Sequence, residues 1–337
     1  MPDKHRKATE KEEKGGSMRS LSGASLTLGS LGLAATIGCS QVGMVQARRD
    51  FKAANAAYQQ QDYKRAAELY EQTLSEDPSL VEAYFFLGNS YDNQFKPSRR
   101  GDATNDGMLD KAVKNYEIAA DKLSAGATDD QKKLGKLSLE YLQAAYGVDK
   151  LNDPAKAEPI VQKMIRLEPG EPSNYFVLAK IYEDAGVYDE AERTLMNAKL
   201  AKPSDPAVYM TLAGYYNRQG QFDKTIDALE QRAKVEPTNP EAFQTIAAFY
   251  WDETRGDSSL TDQQKKDYIT KGVEAADKAL SLKTDFVEAM TFKGLLLRQQ
   301  ALVEKDPAKQ QELVKQGTAL GDKANELRKA QTKSSTN

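Results

Sequence analysis

Between Pro172 and Pro240 the apolar positions return at a fixed interval. Tyr175, Leu178, Ala179 and Tyr182 are followed by Ala191, Leu195, Ala198 and Pro203. The same order restarts 34 positions later (175 to 209) as Tyr209, Leu212, Ala213 and Tyr216, then Thr225, Leu229, Arg232 and Pro237. Steps of three and four residues place each set on one face of a helix. Each copy therefore predicts two short amphipathic helices, with Gly186 or Gly220 at the turn between them. Proline falls between the helices, where it interrupts no backbone hydrogen bond.

Looser copies flank these two. Upstream, Ala54, Tyr58, Ala66, Tyr70 and Pro78 make a first unit, turning at Gln60-Gln61-Asp62-Tyr63. A second opens at Tyr84, Leu87, Gly88 and Tyr91, but its second helix arrives late, at Ala112, Tyr116 and Ala119. The third carries a capping box, Thr128-Asp129-Asp130-Gln131, ahead of a helix through Tyr146. Asp153-Pro154 then supplies a cap and a first-turn proline. The sixth unit has Phe243, Ile246, Ala247 and Tyr250, an insertion, and a second capping box at Thr261-Asp262-Gln263-Gln264. The seventh runs through Met290, Gly294 and Leu297 and restarts at Asp306-Pro307. The small residues Ala54, Gly88, Ala145, Ala179, Ala213, Ala247 and Gly294 recur where helices must approach closely.

These positions resemble the tetratricopeptide repeat, W-x2-L-G-x2-Y…A-x3-F…P. The resemblance implies an all-α fold, a tetratricopeptide-repeat superhelix (α-solenoid) of about seven helix pairs. It spans residues 47–330, with insertions near 93–108, 252–264 and 299–311, and residues 331–337 form a polar, disordered tail. Repeats also override the two-domain expectation that 337 residues alone would give.

Composition narrows the chemistry. With 47 basic and 50 acidic residues the net charge is -3, which offers no basic stripe for nucleic acid. One histidine, His5, and one cysteine, Cys39, exclude an internal disulfide, a His/Cys zinc site and a Ser-His-Asp centre in the repeats. No phosphate-cradling or nucleophile-elbow motif is present. The chain reads as noncatalytic, without a cofactor. Asp102-Ala103-Thr104-Asn105-Asp106-Gly107 partly matches a calcium loop, but Val113 stands where the bidentate glutamate belongs, so a polar loop is expected. The tripeptide Arg100-Gly101-Asp102 carries no weight by itself.

The first 39 residues read as a polar leader and a bacterial export signal, followed by a linker over 40–46. No charge occurs from Ser20 to Ala47, and Met18-Arg19 offers a second start beside Met1. Gly38-Cys39-Ser40 resembles a lipoprotein lipobox, which implies lipidation of Cys39. Cleavage after Val45-Gln46-Ala47 and retention as a single-span anchor stay open. All three place the repeats outside the cytoplasm, in the cell envelope or periplasm.

The family's groove is lined by the first helix of each pair. The position after the first aromatic slot and the one four further on share a face. These are Phe51 and Asn55, Phe85 and Asn89, Leu142 and Tyr146, Phe176 and Lys180, Met210 and Gly214, Gln244 and Ala248 with Trp251 beyond, then Thr291 and Leu295. Either they pack against their own second helices, or they form an apolar groove for a partner peptide or helix. The expected function is an envelope scaffold for protein partners. The alternatives are a self-assembling structural protein and a glycan- or lipid-binding module.

Overall fold

The computed structural model describes residues 31–335, with side chains from residue 42 to residue 332. Fourteen α-helices and one short 3-10 turn occur among the described residues, with no strand. They form seven antiparallel pairs: α1 (Leu31–Gln59) with α2 (Tyr63–Glu76), α3 (Glu82–Asp92) with α4 (Ala103–Leu123), α5 (Asp129–Ala145) with α6 (Pro154–Leu167), and α7 (Pro172–Asp184) with α8 (Tyr188–Ala201). There follow α9 (Pro206–Arg218) with α10 (Phe222–Val235), α11 (Pro240–Gly256) with α12 (Asp262–Leu282), and α13 (Val287–Val303) with α14 (Pro307–Ser335). The fold is an all-α solenoid of seven helix pairs, as the periodicity predicts.

The local signals act where the sequence places them. Thr128 and Thr261 both close reciprocal capping boxes with Gln131 and Gln264. Proline opens α6, α7, α9 and α11, each behind an Asp, Glu or Asn whose side chain accepts a first-turn amide. Gly186 and Gly220 take φ of +74° and +67°, the left-handed turn that reverses the chain two residues before the second helix. Gln61 occupies the same place in the first unit at φ 61°, so that turn forms without glycine.

Packing between pairs relies on small residues and on tyrosine. A Cβ added at Gly88 would lie 2.9 Å from the Tyr116 ring, and one at Gly294 would lie 2.8 Å from the Gly317 carbonyl. At four successive joints a tyrosine near the end of a first helix donates to a glutamate on the preceding second helix. Tyr91 meets Glu71, Tyr146 meets Glu117 at 3.2 Å, Tyr182 meets Glu158 at 2.8 Å and Tyr216 meets Glu192 at 2.9 Å. The pattern stops after α9: Tyr250 on α11 packs against Phe222 and Tyr268, and Leu297 holds the tyrosine slot of the last pair.

The extra residues of the insertions mostly lengthen helices. α12 has 21 residues and α11 has 17, leaving only 257–261 between them, and 304–306 alone separate α13 from α14. Only the first insertion keeps a sizeable loop, 93–102, before α4. Two boundaries differ from expectation. Residues 40–46 are not a linker, because α1 runs unbroken through them into the first unit. Nothing in Ser40–Gln46 stops a helix except Gly43, a cost of about 1 kcal/mol that a 29-residue helix absorbs. Residues 331–335 are not a disordered tail, because α14 carries on to Ser335. No glycine or proline follows Gly321 to end it.

Candidate functional site

Side chains on neighbouring first helices meet along one side of the stack. Tyr58 on α1 donates to Asn89 on α3 at 2.6 Å, and Gln131 at the start of α5 donates to Glu82 on α3 at 2.8 Å. Arg218 on α9 grips Glu183 on α7 through two bonds, at 2.8 and 2.9 Å. That paired geometry holds the Glu183 carboxyl below its ordinary range and the Arg218 guanidinium above its own. Trp251 on α11 packs against Phe292 on α13, with ring centroids 5.8 Å apart.

The predicted groove residues divide into two groups along this surface. In the second and third pairs they are absorbed into packing, and in the first pair they are half-buried. Phe85, Asn89, Leu142 and Tyr146 are all buried. Phe85 lies between Phe86, Tyr116 and Tyr141, with centroids 5.2, 6.1 and 5.8 Å away. Asn89 accepts from Tyr58 and donates to Tyr116 at 3.2 Å. Burial, then Glu117, pushes the Tyr146 hydroxyl up to about 12. Phe51 and Asn55 are half-buried against Tyr70, whose hydroxyl donates to Asn55 at 2.6 Å. The reason is local: α5 lies against both α3 and α4, and large aromatics fill the space that small residues would leave open.

From the fourth pair on, the same positions are half-buried or exposed. Phe176 is half-buried, Lys180 is exposed and paired with Asp184, and Met210 is 37% exposed. Gly214, Gln244, Ala248, Thr291 and Leu295 are half-buried, as is Trp251, over whose ring Arg255 lies at 4.8 Å. Small side chains at Gly214 and Ala248, next to larger ones at Phe176, Met210 and Trp251, give an uneven apolar strip with polar edges. Such a surface suits a peptide or helix that inserts a few side chains. Two features escaped the sequence reading, the Arg218–Glu183 clasp and the Tyr58–Asn89–Tyr116 network. Both join residues from different repeats, and a periodic pattern does not report that pairing.

The calcium-like segment serves another purpose. Asp102 caps α4 by accepting from the Thr104 and Asn105 amides, which lowers its carboxyl below the ordinary range. Among the described residues no His, Cys, Asp or Glu cluster is arranged to hold a metal. His5 lies outside the described residues, and the Cys39 side chain, the expected lipidation point, lies outside those whose side chains are described. Among the described residues no helix is long and apolar enough to cross a membrane.

Residues 51–94 and residues 150–214 each match the tetratricopeptide repeat family. No curated protein matches the chain in sequence. Among solved structures, the C-terminal part of a TPR repeat-containing protein from Cytophaga hutchinsonii is 15% identical. That match covers 82% of this chain and 98% of the other, at a TM-score of 0.51. A tetratricopeptide repeat protein from Parabacteroides merdae is 14% identical over 81% of this chain and 99% of that one, at a TM-score of 0.41. YrrB, a TPR protein with an unusual peptide-binding site, is 18% identical over 62% of this chain and 93% of that one, at 0.37. At these identities the first of the three speaks for a shared fold.

Proposed function

We propose that this chain, a solenoid with tetratricopeptide repeats at residues 51–94 and 150–214, is a noncatalytic scaffold that holds protein partners on the strip formed by α7, α9 and α11. The observation that carries this reading is the contrast along the stack. The predicted groove positions are buried in the second and third pairs, half-buried at Phe51, Asn55, Phe176 and Trp251, and exposed at Lys180 and Met210. Phe176 and Trp251 pack on one side against the core and keep the other side open, and Met210 is 37% exposed, so together they offer anchors for a bound peptide or helix. The family match supports the general role of protein–protein interaction.

The setting we propose is the bacterial cell envelope, with the repeats outside the cytoplasm and a membrane attachment through a lipid on Cys39. The uncharged stretch from Ser20 to Ala47 and the resemblance of Gly38-Cys39-Ser40 to a lipobox support this. End-to-end self-assembly is disfavoured by α14. It exposes Lys309, Glu312, Lys315 and Asp322, a charged face ill suited to stacking on another copy.

The test is cross-linking and capture from intact envelopes, comparing wild type with Phe176→Glu plus Met210→Glu. A partner recovered with the first and lost with the second, at unchanged helicity, is the expected result. Identical capture by both would remove the strip from consideration, and recovery of this protein alone would favour self-association.

A further inference from the structure

The loop 93–102, the largest departure from the repeat, is held rigidly from inside. Asn105 is buried; it accepts from the Lys96 amide at 2.8 Å and donates to the Lys96 and Arg99 carbonyls at 3.2 Å each. Asp106 accepts from the Gly101 amide at 2.8 Å, at the one residue of the loop with positive φ, +95°. Gln94 donates to the Tyr63 carbonyl at 3.2 Å, which docks the loop on the turn between α1 and α2. Loop, turn and the start of α4 enclose a polar cleft of about 680 Å³.

Three cations line that cleft: Lys64 from the turn, and Lys96 and Arg99 from the loop. Two carboxylates, Asp62 and Asp102, line it as well. Each caps a helix through Oδ1 alone, Asp62 accepting from the Arg65 amide and Asp102 from those of Thr104 and Asn105, so the lining carries three positive and two negative charges. Among the described residues none of the three cations forms an ion pair, and Arg99 acts on Asp102 only as a longer-range charge. The lysines around the cavity beside α5 differ: Lys132, Lys133 and Lys136 are each matched to a carboxylate, Asp129, Asp130 and Glu168. Three cations against two carboxylates leave the cleft with an excess of positive charge, which a bound anion would offset. Asn93, Gln94 and Thr104 add neutral polar groups to the same wall.

We propose that this cleft binds a phosphate-bearing ligand with more than one anionic group. The forked Arg99 guanidinium takes two oxygens of one group, and Lys64 and Lys96 balance the remaining charge. The site stands apart from the strip on α7, α9 and α11, and neither depends on the other.

Calorimetry on the full chain at low salt tests it, with inorganic pyrophosphate as one probe and vesicles containing phosphatidylglycerol as the other. Lys96→Ala plus Arg99→Ala removes two exposed side chains that lie outside the buried core. It is expected to weaken binding at least about tenfold. Asn105→Ala keeps every cation but frees the loop, and is expected to weaken binding too; helicity measured alongside separates this from unfolding. Lys132→Ala plus Lys133→Ala removes equal charge elsewhere and is expected to change nothing. Pyrophosphate binding would mark a soluble ligand. Vesicle binding alone, lost in the Lys96/Arg99 variant, would put the same phosphate chemistry on a lipid headgroup. Absence of binding in both arms overturns the proposal, as does equal binding by the Lys96/Arg99 variant or an equal loss in the Lys132/Lys133 variant.

Discussion

Asn89→Ala separates a partner-facing residue from a structural one. Asn89 is 3% exposed; its Oδ1 accepts from Tyr58 at 2.6 Å and from Asn93 at 2.8 Å, and its Nδ2 donates to Tyr116 at 3.2 Å. Truncation removes all three bonds, but their costs differ. Asn93 keeps a second bond to the Asn89 carbonyl at 2.8 Å. Tyr58 is half-buried, and its hydroxyl regains water. Tyr116 is fully buried and is left with one long contact to Asp92, at 3.4 Å. Two tyrosine bonds at about 1 kcal/mol each, and about 1 kcal/mol for the underserved Tyr116 hydroxyl, sum to about 3 kcal/mol. Urea unfolding followed by the helical circular dichroism signal reads this as a lower midpoint at constant slope. Lys180→Ala is the control. Its exposed pair with Asp184 is worth under about 0.5 kcal/mol, so its midpoint stays in place. A loss below about 0.5 kcal/mol for Asn89→Ala would refute the reasoning. Loss of partner capture at unchanged stability would return Asn89 to the binding surface.

Two further outcomes follow from the packing. Gly107 sits in α4 with nothing within 4 Å of an added Cβ, so Gly107→Ala is expected to stabilise by about 0.5–1 kcal/mol, read from the thermal midpoint. At Gly317 the added Cβ meets the Gly294 carbonyl at 2.6 Å; the overpacking cost of about 1–3 kcal/mol exceeds the same helical gain, and Gly317→Ala is expected to destabilise. Equal signs for the two variants would show that α13 and α14 do not cross as described. In alkali, burial keeps the Tyr146 proton to about 12 against an ordinary 10.0, and burial raises Tyr70 and Tyr116 as well. The folded state therefore holds these protons more tightly than the unfolded chain, so their contribution is complete below pH 10 and lost as pH rises from 10.0 toward 12 and beyond. The tyrosinate absorbance of the buried residues is expected to appear together with loss of helix. Full ionisation near pH 10 with helicity intact would contradict this.

The sequence alone determined the elements and their order. Spacings of three and four residues, proline behind an acidic or amide cap, and glycine at the turns act within one or two helical turns, so they are readable without the fold. The 34-residue return supplies the pairing of consecutive helices, because neighbouring copies must cover each other's apolar faces. What only the tertiary structure decided is which positions of a repeat remain free. Phe85 and Phe176 hold the same slot, yet Phe85 is enclosed by Tyr116 of its own pair and Tyr141 of the next while Phe176 is half-buried, because part of a slot's surroundings comes from another repeat. The 93–102 loop shows the same division. Its Lys96, Arg99 and Asp102 are visible in the chain, but only the folded arrangement commits Asp102 Oδ1 to backbone amides and brings Lys64 and Asp62 to the same cleft. A side chain's periodic position follows from local geometry, whereas its burial and its partners depend on what the rest of the solenoid brings against it.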